Sequence, residues 1–390
     1  MAKPASGKEA HICNQIYLEE LLMKKNNFDT YLVENMYTAD PSAHVFEGKV
    51  YIYPSHDLGN DNPDDGSGDH FWMEDYHVYS MDEIGAPVVD HGQVLHMKDV
   101  PWVSEQMWAP DAATRNGKYY LYFPAKDKDG IFRVGAAVSD RPYGPFVPEP
   151  NYIEGSFSID PAVFADTDGE YYMFNGGLWG GQLEKWQTGE FVTGAPANQP
   201  GTDGPQGDEP ALRPWIAKMN EDMVSFAHAP KYIDMLDADG TPMKSKFNDR
   251  RFFEAAWVHK FNNKYYLSYS TGDTHNIAYA EAENVYGPYT YKGIVLEPVV
   301  GWTNHHSICE VNGEWYLFYH DSGISGGHTQ LRGIKYTKLN IAEDGTIETV
   351  QAYRDDETKL NVARMLKSKG GDVHAFSKEL GLNDELLQKV

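Results

Sequence analysis

The sequence predicts an all-β chain, a β-propeller of five blades with short helical extensions at its N- and C-terminal ends. Three observations carry that prediction. The chain is 13% aromatic, and its 36 Gly and 22 Pro punctuate short apolar runs at hairpin spacing, a turn-rich β composition. Five segments repeat one hairpin design: TADPSAHVFEGKVYIYPSHD from Thr38, MWAPDAATRNGKYYLYFPAKD from Met107, SIDPAVFADTDGEYYMFNGG from Ser158, FFEAAWVHKFNNKYYLSYSTG from Phe252 and NHHSICEVNGEWYLFYHDSG from Asn304. The second aromatics of these units, Tyr51, Tyr120, Tyr172, Tyr266 and Tyr316, are 69, 52, 94 and 50 residues apart. The spacings near 50 suit one four-stranded sheet per unit, and the longer ones require insertions. At 390 residues the chain is long enough for two average domains, but repeated sheets accommodate that length in one.

Taken in order, residues 1–30 form an N-terminal extension. Its segment 14–25, NQIYLEELLMKK, sets Ile16, Leu18, Leu21, Leu22 and Met23 mostly on one face, an amphipathic helix expected to cover an edge of the domain. Residues 31–350 carry the repeats. In each the second run alternates, as in Val50 and Ile52 against Tyr51 and Tyr53, which is the signature of strands inside small antiparallel sheets. The first insertion, over residues 59–69, reads as a solvated acidic loop. The second, over 180–225, is rich in Gly and Pro and is expected to wall a binding site. Residues 351–390 read as a helical appendage split at Gly370-Gly371, without a legible function.

A formal charge of −25 sets the chain against nucleic acid and anionic membrane surfaces. Cys13 and Cys309 have neither metal-site spacing nor a disulfide framework. No apolar leader and no membrane-length span is read, so the expectation is a cytoplasmic protein. No Rossmann glycine motif, Walker loop, nucleophile elbow or HExxH is present, and no organic cofactor is expected.

The chemistry emerges when the units are aligned on Gly48, Gly117, Gly169, Asn263 and Gly313. Eight residues back lie Asp40, Ala109 and His305; nine back, where the hairpin is one residue longer, lie Asp160 and Glu254. One repeat position thus holds three acids. Asp-Pro alone would read as a turn, but Glu254 interrupts the apolar run FFEAAW, where burial of a charge without a task is costly. In a propeller these positions meet at the axis. Acids gathered there repel one another, so one stays protonated while another is ionised, as acid/base hydrolysis requires.

The motifs ADPS at Asp40, WAPD at Trp108, SIDPAVF at Asp160, FFEAAW at Glu254 and NHHS at His305 together resemble glycoside hydrolase family 43, the five-bladed β-propeller glycosidases, over roughly residues 31–350. The resemblance implies Asp40 as general base, Glu254 as general acid, Asp160 as the residue tuning the acid, and inversion of configuration. It is nearest to the β-xylosidase members, which also release α-L-arabinofuranose, so xylo-oligosaccharides or arabinofuranosyl compounds are the implied partners. His305 reads either as a hydrogen-bonded channel residue or, by resemblance, as the histidine holding a calcium or water cluster below the sugar. Arg332 resembles the fifth-blade arginine that bonds sugar hydroxyls, against a plain surface arginine. Trp72 and Trp108 are candidate stacking platforms for the sugar. A non-catalytic carbohydrate-binding propeller would lack the acids, and a protein-interaction propeller would show a regular period; neither fits. The expected enzyme is an exo-acting xylosidase, with an arabinofuranosidase or a bifunctional enzyme as the alternative.

Overall fold

In the computed structural model the described residues are 30–65, 67–192, 204–272 and 274–390. The helix expected over 14–25 lies outside them, as does part of the second insertion. The described strands form five sheets. Blade 1 holds β1 (Thr38–Phe46), β2 (Lys49–His56), β3 (Asp75–Met81) and β4 (Val89–His96). Blade 2 holds β5 (Asp111–Arg115), β6 (Lys118–Lys126), β7 (Phe132–Ser139) and β8 (Val147–Pro148). Blade 3 holds β9 (Ala162–Ala165), β10 (Tyr171–Asn175), β11 (Trp215–Lys218) and β12 (Lys231–Tyr232). The short β13 (Met235–Leu236) joins blade 4, where it runs parallel beside β17 (Tyr289–Leu296), after β14 (Phe252–Phe261), β15 (Lys264–Thr271) and β16 (Ile277–Ala282). Blade 5 holds β18 (His306–Val311), β19 (Glu314–Asp321) and β20 (Gly333–Leu339).

The sheets are antiparallel meanders because each repeat supplies a tight polar turn between two alternating apolar runs. Each first strand packs against the next, β1 on β5, β5 on β9, β9 on β14, β14 on β18 and β18 back on β1, so the innermost strands close a ring. Hydrophobic clusters fill the spaces between blades: Phe46, Tyr53, Tyr76, Leu121 and Phe123 lie between blades 1 and 2, and Ala43, Ile52, Tyr316, Phe318 and Ile334 between blades 5 and 1.

The unit spacings near 50 residues predict four strands per blade, yet blade 5 has three among the described residues. The segment before β1 takes the free edge: Leu32 donates to the Ile334 carbonyl at 2.8 Å and Thr38 to the Arg332 carbonyl at 2.9 Å. The chain beyond residue 350 supplies α1 (Asp356–Ser368), capped by the Asp355 carboxylate, and the single turn α2 (Asp384–Leu387). Val362, Ala363 and Leu366 of α1 share one buried cluster with Ile308, Leu317 and Leu339 of blade 5, so the appendage packs as part of that blade's core.

Candidate active site

The backbone brings the acids inward by breaking strand regularity. β1 shifts register between Ala39 and Ser42, and β14 shifts on both sides of Glu254. The backbone is left-handed at Asp40 (φ 49°), Asp160 (φ 60°) and Ala255 (φ 59°), so the corresponding sites in three blades carry the same kind of kink. The prolines after the two aspartates therefore do not hold them in the extended backbone that a following proline favours. The kinks are stabilised by partners instead. The Asp40 amide donates to His320 Nδ1 at 3.0 Å, and the Ala255 amide donates to Asp160 Oδ2 at 2.8 Å.

Asp40, Asp160, Glu254, His305 and Arg332 all line one cavity of about 520 Å³, with Trp108, Phe71, Trp179, Phe253 and Trp302 among its walls. The expected gathering of acids at the axis is what the ring of first strands produces. The loop read as merely solvated also contributes, through Asp64, Asp65 and Gly68. Gly68 sits at φ +82° with a Cβ position 2.7 Å from the Trp108 ring, so a larger residue there would displace that wall. Of the second insertion, Gly180 and Gly181 reach the cavity.

Trp72 is the exception among the expected site residues. Trp72 faces a separate depression with Leu58, Asn60, Asn62 and Glu74, and its indole N–H donates to Glu74 Oε1 at 3.0 Å. Neighbours in an extended segment point to opposite sides, and here Phe71 takes the cavity side. Trp108 does line the cavity, with its indole N–H fixed on the Phe71 carbonyl at 2.9 Å.

Arg332 is buried between two carboxylates. Its Nε and one Nη donate to Asp57, both Nη donate to Asp40, and Nη1 also reaches Thr303 Oγ1 at 3.3 Å. Five contacts occupy the five N–H donors of a guanidinium, so Arg332 acts here on Asp40 rather than offering a free donor to a sugar hydroxyl.

This arrangement decides which acid is charged. Burial alone would raise Asp40, but the guanidinium of Arg332, then His305, His320 and the Ser55 hydroxyl at 2.6 Å, hold its carboxyl down at about 2. Glu254 lacks such a partner; burial first, then the negative charge of Asp40, push it up to about 8. Asp160 is likewise raised well above the usual carboxylate range, by burial and then by Glu254 and Asp40. At neutral pH the cavity therefore holds an ionised Asp40 opposite a Glu254 that keeps its proton.

His305 Nδ1 lies 3.6 Å from Asp40 Oδ1 and 3.8 Å from Asp160 Oδ2. Burial lowers it to about 4, so the ring is neutral and has a lone pair for a cation. The nearby protein oxygens are those of the two acids, so a hard ion would complete its shell with water. His306 points away and bonds Ser268 Oγ at 2.6 Å, the structural role its neighbouring position implies.

Several contributors carry no repeat signal. Phe71, Trp179, Trp302 and Thr303 lie in connections, where one unit says nothing about the next, and Asp57 ends the first unit at a position where the other units carry no acid. Ser55 and His320 were legible in principle: each follows its turn glycine, Gly48 or Gly313, by seven residues, and both touch Asp40.

Comparison with known proteins follows this geometry. The family model described as glycosyl hydrolases family 43 matches residues 85–347. A xylosidase/arabinosidase of Bacteroides ovatus is 51% identical over 322 residues, covering 82% of this chain and 97% of that protein. One from Humicola insolens is 55% identical over 321 residues, covering 82% and 98%. A crystal structure of a β-xylosidase/α-arabinofuranosidase from a compost microbial metagenome, in complex with xylotriose and in a calcium-free form, superposes with a TM-score of 0.82 at 59% identity, covering 85% of this chain and 99% of that one.

Proposed function

The chain belongs to glycosyl hydrolases family 43 and is a glycoside hydrolase, and on that premise we propose that it releases xylose from the non-reducing end of β-1,4-xylo-oligosaccharides with inversion at the anomeric carbon. One observation carries the reading: one cavity brings together an Asp40 held in its ionised form by Arg332 and a Glu254 whose burial beside Asp40 favours the protonated form. Glu254 donates its proton to the glycosidic oxygen as the bond to the leaving sugar breaks. Asp40 removes a proton from the water that attacks the opposite face of the ring. Asp160, bonded to the backbone beside Glu254, orients that segment, while burial and the charge of Asp40 keep the proton on Glu254. Arg332 keeps the negative charge on Asp40.

Trp302, which is 37% exposed and stacked on Trp179 at 5.5 Å, provides an apolar face for a sugar ring at the cavity. Related structures hold xylotriose and xylose, which supports xylose-based substrates. The names of the relatives support arabinofuranosidase activity of the same site as the second reading. A calcium ion bound by the His305 imidazole and otherwise by water would add positive charge below the acids. The remaining steps belong to the chain's own residues.

The reading is tested with chromogenic β-D-xylopyranoside and α-L-arabinofuranoside alongside xylobiose, with proton NMR of the first-formed anomer. Preferred release of α-xylose from xylobiose supports it. Cleavage of the arabinofuranoside alone moves the substrate, and a β-anomer as first product rejects the water-activating role of Asp40. Loss of activity on exhaustive chelation, restored by Ca²⁺ in the wild type and not in His305→Ala, is the expected result for the ion.

A further inference from the structure

The ends of β2 and β3 bring together a group of side chains that the hydrolytic site does not use. His56 closes β2, Asp75 opens β3, and His77 follows two residues later on the same face of the strand. One potential ligand atom from each lies within 4.8 Å of the others. His56 Nδ1 is 2.5 Å from Asp75 Oδ1, and the two imidazole rings meet edge to face at 5.5 Å. All three side chains are largely buried, at 16%, 12% and 14% exposure, yet none is closed off from solvent. His77 Nδ1 also lies 3.4 Å from Asp90 Oδ1, a carboxylate placed to orient the ring from outside the group.

We propose that His56, Asp75 and His77 form a binding site for a late first-row divalent cation such as Zn²⁺ or Co²⁺, on blade 1 and separate from the cavity. Two imidazoles and one carboxylate suit these ions and not calcium, whose preference is for oxygen. His56 Nδ1 and Asp75 Oδ1 are joined by one hydrogen bond, whose proton a cation would have to displace. A cation entering the group takes the place of that proton and moves the two ligand atoms slightly apart, within reach of both side chains because neither is locked in the core. The chain's net charge of −25 favours cation entry. The site also lies next to the hydrolytic machinery: His56 is flanked by Ser55, which bonds Asp40, and Asp57, which clamps Arg332. An occupied site would tie the end of β2 to β3 and hold those two neighbours in register.

The test is titration of the untagged, metal-stripped full chain with CoCl₂ and ZnCl₂. Expected are one equivalent of Co²⁺ with a visible ligand-field band, a rise in thermal midpoint with Zn²⁺, and at least tenfold weaker binding in His56→Ala and His77→Ala, with His305→Ala unchanged. Histidine side-chain NMR of the wild type, which needs no variant, should show His56 and His77 shifting first among the 15 histidines. Absence of stoichiometric binding, equal affinity in His77→Ala, or first response at other histidines would overturn the proposal.

Discussion

At the scale of residues, the main event is the unequal treatment of similar acids. Asp40, Asp160 and Glu254 share a cavity, but only Asp40 is held by a buried guanidinium, so charge settles there. The pH dependence follows from the signs. As the proposed acid Glu254 would work protonated, and it is raised to about 8, so kcat/KM should fall as pH rises through about 8. Asp40 works ionised and is lowered to about 2, so it sets no limit near neutrality. Glu254→Gln should lose about 10²–10⁴-fold in kcat/KM on xylobiose and abolish the basic limb; a retained limb at that pH would reject its role as acid. Arg332→Lys keeps a charge but not a fork spanning two carboxylates, so Asp40 rises and the acid limb should move to higher pH, with kcat/KM at least tenfold lower. A pH profile identical to wild type would detach Arg332 from Asp40. Neither the fork nor its consequence is legible in sequence, where Arg332 and Asp57 are 275 residues apart.

At the scale of elements, blade 5 is fastened by a buried polar knot. Asp321 at the end of β19 accepts from Tyr31 at 2.7 Å and Tyr353 at 2.8 Å and pairs with Lys335 of β20 at 2.7 Å, with neither charged side chain exposed. The knot joins the segment before β1, the last blade and the chain entering α1. Asp321→Ala should cost about 3–5 kcal/mol in urea unfolding, because it removes the carboxylate paired with a buried ammonium. A change below about 1 kcal/mol would show that the blade is held by packing alone. The strands themselves were legible, since alternation within each unit sets their faces. The bulges at Asp40 and Glu254 were not, because Asp-Pro reads as an ordinary turn and FFEAAW as a regular strand, and neither pattern marks the left-handed residues found there.

At the scale of the whole molecule, the appendage is a component of the fold. Val362, Ala363 and Leu366 are fully buried with Ile308, Leu317 and Tyr319. Removing residues 354–390 exposes that cluster, and at about 1.5–3 kcal/mol for each large side chain the thermal midpoint should drop by roughly 10 °C or more. An unchanged midpoint would make the appendage an independent attachment.

The sequence by itself determined the number of blades, the inner position of each first strand and the three acids at one repeat position, because all of these are periodic and a period survives divergence of the side chains around it. Tertiary structure alone decided which acid is ionised, which aromatic faces the cavity and which loops wall it. Arg332 reaching Asp40, Phe71 rather than Trp72 turning inward, and Gly68 packed against Trp108 are contacts between non-repeating segments. Their distances are set by closure of the ring, and no local pattern in the chain encodes them.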